Sequence, residues 1–349
     1  MSIRATVSAL LVLTVLATPL PAAPASAPAD ALAPGARVYL HAHNCYPDRG
    51  QWTDRIARAL GTGARHIAIE QDLVWVPPAN GRPGRSVVAH DVPARGDEPS
   101  LEDHFFAAVA PMMEQALADP HPEAWPLLVL HFDFKTNEPE HHAFVWDLLG
   151  RHQQWLTTAT RTADGAPPSA LTPGPLLVLT ESGEGQERDF HDRLPVGGLL
   201  RLFGTVPPAD IALPASPEGR AEAGVRMTPE QLIPSGATSY RRWTNHSWAV
   251  IEAGGAPRAG AWTVADRARL DAVVQRAHAL GLWVRFYTLN GYADAGQGWS
   301  AGYNFGSADA VAARWEAAID DGVEFVASDQ YEAFAAALGR RPGGAPAGR

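Results

Sequence analysis

The chain has 349 residues, 46% of them hydrophobic and 19% charged, which excludes a disordered composition and leaves ample apolar material for one large core. A formal net charge of −10 argues against nucleic acid as a partner and allows at most a transient contact with an anionic membrane surface. A single cysteine, Cys45, excludes an intramolecular disulfide, and its type reads as a small buried packing residue.

In chain order, the first predicted element is a targeting segment. Arg4 supplies a positive end, Ser8–Ala17 (SALLVLTVLA) is apolar but too short to span a bilayer comfortably, and Ala23-Pro24-Ala25 fits a small-residue cleavage rule. Residues 1–25 therefore read as a signal peptide and 26–36 as a Pro/Ala-rich leader, so the expected location is secreted or periplasmic. A single domain is expected over 37–339, followed by a flexible Pro/Gly-rich tail over 340–349.

Eight apolar runs follow: Arg37–His41, His66–Leu73, Leu127–Phe134, Leu176–Thr180, Leu199–Phe203, Thr238–Trp243, Leu282–Thr288 and Val323–Ser328. The sixth has the weakest pattern. Helical periodicity lies between several of them, over Trp52–Leu60, Leu101–Ala118, His141–Gln154, Ala265–Leu280 and Ala308–Asp320. Continuous apolar strands alternating with helices imply a parallel sheet covered on both faces, and eight units predict an α/β fold, the TIM (β/α)8 barrel, for which ~250 residues are typical. Ser86–Asp91 (SVVAHD) reads as an extra hairpin arm ending in His90.

In this fold, chemistry collects at the C-terminal ends of the strands. The predicted first strand leads into His41-Ala42-His43-Asn44, the second closes on Glu70-Gln71-Asp72, and the third on Asp133-Phe134-Lys135; Asp329 follows the eighth. Residues two apart on a strand share a face, so Glu70 projects with Asp72 and Asp133 with Lys135. Three converging carboxylates suit one hard divalent cation, Ca2+ or Mg2+; the plainer alternative pairs Glu70 and Asp72 with arginines. His43 and His90 are candidate proton handlers, since imidazole titrates near neutrality. Lys135 and Arg285 are candidates for phosphate oxygens, and Arg285, inside a strand, is equally suited to a salt bridge with a barrel carboxylate. The Gly-rich, aromatic segment Asn290–Ser307 follows the seventh strand. It reads either as a cover that holds substrate through Trp299 and Tyr303 or as an ordinary rim loop.

The pattern His43-Asn44, Ala57–Ala64 (ARALGTGA), Ile69-Glu70-Gln71-Asp72 and Val88-Ala89-His90-Asp91 resembles that of glycerophosphodiester phosphodiesterases. The stretches Trp283–Asn290 and Gly322–Asp329 resemble that family's last two strands, so the likeness is scattered over residues 38–330. His41-Ala42-His43-Asn44-Cys45-Tyr46, where that family has His-Arg-Gly, is similar to phosphatidylinositol-specific phospholipase C-like proteins. Asp133-Phe134-Lys135-Thr136 is similar to those and to spider-type sphingomyelinase D. The resemblance implies a metal-dependent phosphodiesterase of small-molecule or lipid phosphodiesters, acting as a monomer. His43 and His90 would be the acid–base pair, Lys135 would assist, Glu70, Asp72 and Asp133 would hold the metal, and the product would form through a cyclic phosphate. Asn44, Arg285, Trp299 and Tyr303 would contact substrate. Two other functions compete. His41-Ala42-His43 with Asp329 and His246 fits an amidohydrolase-type zinc enzyme in part, and the same barrel serves as a non-catalytic secreted binding protein.

Overall fold

The computed structural model describes residues 32–121, 125, 127–211, 214, 216–252, 260–294 and 297–340. The predicted signal peptide, residues 26–31 of the leader and 341–349 of the tail lie outside the described residues. In chain order the strands are β1 Tyr39–Ala42, β2 Ile67–Val76, β3 Arg85–Val88, β4 Leu128–Phe134, β5 Ala159–Thr160 and β6 Leu176–Thr180. They continue with β7 Leu199–Leu200, β8 Gly204–Thr205, β9 Arg241–Ser247, β10 Trp283–Tyr287 and β11 Phe325–Ser328.

Eight of these form one parallel wall in the order β6-β4-β2-β1-β11-β10-β9-β8. Its two ends meet at Phe203, which donates to the Val178 carbonyl at 3.0 Å and accepts from Thr180 N at 2.9 Å. The sheet is thus a nearly closed parallel barrel of the TIM type. β3 folds back antiparallel on the long end of β2, giving the predicted hairpin arm and carrying His90 over the C-terminal mouth.

The wall follows from alternation. On β1, β2, β4 and β10 the residues Leu40, Ile69, Leu130, Phe132, Val284 and Phe286 are fully buried between sheet and helices. Each such side chain contributes roughly 1.5–3 kcal/mol by leaving water. The alternate residues face inward, with Tyr39 and Trp243 packed on Phe325 low in the barrel and polar groups above them. Helices Arg55–Gly61, Ala107–Ala118, Pro139–Arg151, Val264–Ala279 and Ala308–Asp320 fall where the periodicity predicts them. The fourth begins on a reciprocal cap, in which Thr263 Oγ1 accepts from Asp266 N and the Asp266 carboxylate accepts from Thr263 N.

Two strands depart from the sequence reading. The predicted fifth run, Leu199–Phe203, is divided: β7 pairs outside the barrel with β5, and the barrel strand proper begins only at Phe203. The predicted sixth run, Thr238–Trp243, lies several residues too early. Thr238 Oγ1 accepts from both Tyr240 N and Arg241 N, which closes a turn there and delays the strand to Arg241. The later start places Thr244, Asn245 and His246 on the wall.

Within β9, Asn245 faces inward with Trp243, while His246 faces the outer layer. Its Nε2 lies 2.7 Å from Thr244 Oγ1, and its ring packs on Phe286. Burial lowers its pKa to about 4 from an ordinary 6.5. A folded-state value below the unfolded one gives stability that is complete above about pH 6.5 and disappears as pH falls toward 4, on the order of 3 kcal/mol. Urea denaturation at pH 7 and 4.5 is expected to show this acid loss, and a His246→Gln variant is expected to lose measurably less. Equal losses in the two proteins would remove His246 as a cause.

Candidate active site

The tip of β1 sets the first half of the site. Asn44 has φ of +48°, a left-handed conformation that Asn tolerates better than most side chains. This turn aims Asn44 N at Glu70 Oε2, 3.2 Å away. It also leaves His43 buried, with Nδ1 3.2 Å from Asp329 Oδ1. Burial opposes ionisation of Asp329, but its bond to His43 and the nearby charges outweigh it and hold the carboxyl below its usual range. Asp329 is therefore the acceptor, which assigns the His43 proton to Nδ1 and leaves Nε2 toward the acids, 3.8 Å from Glu70 Oε2. Arg55 supports the turn from behind, donating to the His43 and Asn44 carbonyls at 3.1 and 2.8 Å.

The acids form the second half. Glu70, Asp72 and Asp133 place carboxylate oxygens within 4.8 Å of one another, as the spacing predicts, because Asp72 and Asp133 are register partners across β2 and β4. Lys135 Nζ bridges two of them, 2.9 Å from Asp72 Oδ2 and 2.6 Å from Asp133 Oδ2. Tyr46 donates to the same Asp72 oxygen at 2.6 Å. The other oxygen, Asp72 Oδ1, is buried without a partner. Burial and the neighbouring Asp133 charge push the Asp72 carboxyl well above its usual range. Burial and Glu181 raise Asp133 as well. One ammonium thus fails to balance the cluster, and an orphaned acceptor among three hard oxygens fits a divalent cation.

Glu70 behaves differently. Burial alone would raise it, but Arg285 and the surrounding imidazoles hold it well below the usual carboxylate range. Arg285 is the hub: Nη2 donates to Glu70 Oε2 at 2.9 Å, Nε to His41 Nδ1 at 2.8 Å and Nη1 to Asn245 Oδ1 at 2.9 Å. Of its two readings from sequence, the guanidinium takes the salt bridge. His41, Glu70 and His131 also lie close enough to surround an ion. Their donor chemistry is less suited to one. Burial and Arg285 keep His41 neutral, and the bond from Arg285 Nε leaves its proton on Nε2, where a metal would need a lone pair. His131 faces Glu70 Oε1 at 3.6 Å and Glu181 Oε1 at 3.4 Å, so both its nitrogens look onto carboxylates.

The rim carries the remaining predicted residues. Trp299 N and Asn290 Nδ2 donate to Asp329 Oδ2 at 3.0 and 2.8 Å, so the segment after β10 is tied to the carboxylate that orients His43. The Trp299 ring packs on Trp52, Tyr46 and His90, and the Tyr303 ring lies 5.2 Å from that of His43. His90 stands apart from the buried network. Its side chain is 46% exposed and 3.8 Å from Asp91, and its ring packs on Trp299, which in turn packs on Tyr46 beside Asp72. A histidine for zinc on β9 is not supplied by His246, which points to the outer layer.

Of the residues singled out in the sequence, the structure brings Asn44, His43, Glu70, Asp72, Asp133, Lys135 and Arg285 together. The sequence gives no site role to Arg55, Tyr46, His131 and Glu181, and gives Asp329, noted at the eighth strand tip, a role only in the zinc alternative. Asp329 has the same positional signal as the acids, a carboxylate at a strand tip. Arg55 has none, because its role arises from how its helix packs under the β1 turn. No family model, no curated protein and no solved structure matches the chain.

Proposed function

We propose that the chain is an exported, divalent-cation-dependent phosphodiesterase acting on a glycerophosphodiester or phospholipid-type phosphodiester. The observation that carries this reading is the meeting, at one barrel mouth, of three carboxylates with an orphaned oxygen and a buried imidazole whose far nitrogen is fixed by Asp329. Glu70, Asp72 and Asp133 would hold Ca2+ or Mg2+, which supplies positive charge to the phosphoryl oxygens as negative charge grows on them. His43 Nε2 accepts the proton from a substrate hydroxyl next to the phosphodiester, and Asp329 stabilises the resulting imidazolium. The hydroxyl oxygen bonds to phosphorus, the P–O bond to the leaving group breaks, and His90 donates a proton to the departing oxygen. Lys135 supplies a further charge near the phosphoryl oxygens, and Trp299 and Tyr303 wall the alcohol portion. Water entering in reverse opens the cyclic phosphate. No described helix is long and apolar enough to cross a membrane. An exported monomer that meets soluble or surface-presented substrate is part of the proposal.

EDTA is expected to abolish diester hydrolysis by the purified protein, and Ca2+ or Mg2+ to restore it; full turnover in chelator would exclude the acids as an essential cation site. His90→Ala is expected to lower turnover by about a hundredfold with an unchanged circular dichroism spectrum. Because His90 is exposed, near-normal turnover in that variant would assign the acid role elsewhere rather than signal misfolding.

A further inference from the structure

Lys135 has a position that its role toward substrate does not explain. Its ammonium lies between Asp72 and Asp133, bonded to both, where a cation shared by the three acids would also be. Two of the three acids are pinned. Glu70 is held by Arg285 and Asn44 N, and Asp72 by Tyr46. The Lys135 backbone is pinned too, its N–H donating to the Leu73 carbonyl at 2.9 Å. Its four-carbon stem is held only at the ammonium, and the side chain is 22% exposed at the mouth.

The structure assigns Lys135 a second role, resting on the reading that the acids bind a divalent cation: it is an exchangeable counter-ion. The ammonium neutralises Asp72 and Asp133 while no metal is bound and leaves them when the metal arrives. The residue type suits this exchange. A lysine is a compact, strongly hydrated point charge on a flexible stem, whereas an arginine fork would grip both carboxylates bidentately and resist displacement. Displacement has a consequence. Once released, the ammonium sits at the mouth with no carboxylate partner from this cluster, so cation binding delivers a positive charge to the place where a phosphate would enter. Metal and anion binding are then coupled through one side chain.

The test is isothermal titration calorimetry of the full chain with CaCl2 and, separately, MgCl2, on the wild type, Lys135→Gln and Lys135→Arg, with circular dichroism to confirm folding. Lys135→Gln removes the competitor and is expected to bind the cation at least about tenfold tighter than wild type. Lys135→Arg, which retains the charge and protects against loss of the fold, is expected to bind at least about tenfold weaker. Opposite shifts are not produced by a merely structural lysine. Unchanged or weaker binding by a folded Lys135→Gln, or binding by Lys135→Arg as tight as wild type, overturns the exchange while leaving the metal site in place. Absence of cation binding in wild type and Lys135→Gln alike overturns both the exchange and the metal-dependent reading.

Discussion

His43→Ala is expected to lower phosphodiester turnover at least about a hundredfold while the protein remains folded, because in the proposed mechanism the ring takes the substrate proton. Asp329→Asn is expected to weaken the same step, with the ring still present. An asparagine has one acceptor oxygen where the carboxylate has two; with that oxygen serving Asn290 Nδ2 and Trp299 N, its NH2 faces His43 Nδ1, so the proton acceptor and the charge that stabilises the imidazolium are both lost. The two changes act on one unit, so the double variant is expected to be little worse than His43→Ala alone. Steady-state kinetics on the four proteins checks this directly. Losses that multiply would mean that His43 and Asp329 act in separate steps, and near-normal turnover in His43→Ala would remove the base.

Arg285→Met is expected to be the most destabilising single change at the site, by roughly 3–5 kcal/mol, because it leaves the buried Glu70 charge without its partner. The residue is 2% exposed and has three partners on three different strands: Glu70 on β2, His41 on β1 and Asn245 on β9. Lysine is a poor substitute, since a single ammonium does not present three donors in a fixed plane. Adding Glu70→Gln to Arg285→Met is expected to recover part of the lost stability by removing the unpaired charge. Urea denaturation of the two single variants and the double variant measures this coupling. Purely additive losses would show that the pair is not coupled. The same double variant is expected to stay inactive, which separates the contribution of Glu70 to folding from its place in the cation site.

The fold was legible where strands are buried on both faces. Leu127–Phe134 and Leu176–Thr180 are continuous apolar runs, and both appear on the wall within a residue of their predicted bounds. Legibility failed at β9, Arg241–Ser247, because its inward and outward residues include arginines, Asn245 and His246. Asn245 is held by Arg285 of β10, Arg241 by Glu187, Arg242 by the Ser169 carbonyl and His246 by Thr244, so these polar groups are satisfied and leave no apolar period to read. The convergence of the three acids was readable because strand spacing and strand-tip position are both local in the sequence. Which residues pair with Arg285, and the reach of Lys135 across to Asp72, were not, since both depend on which strands become neighbours in the barrel. The clearest gap is the His43–Asp329 pair, separated along almost the whole chain and joined only because β1 and β11 are adjacent. His90 was singled out from its motif alone, and its exposed position on Trp299 comes from the hairpin formed by β2 and β3.

Phosphorus NMR of the purified protein with a panel of glycerophosphodiesters, lysophospholipids and phosphoinositides, run with added Ca2+ or Mg2+ and again in EDTA, tests the barrel-mouth chemistry most directly. The expected result is that at least one diester signal is replaced by that of a cyclic phosphate or a monoester when the cation is present, and persists in chelator or with His43→Ala. Diester signals that all stay unchanged with cation present, or that decay equally in EDTA, would contradict a cation-dependent phosphodiesterase built on Glu70, Asp72, Asp133 and His43.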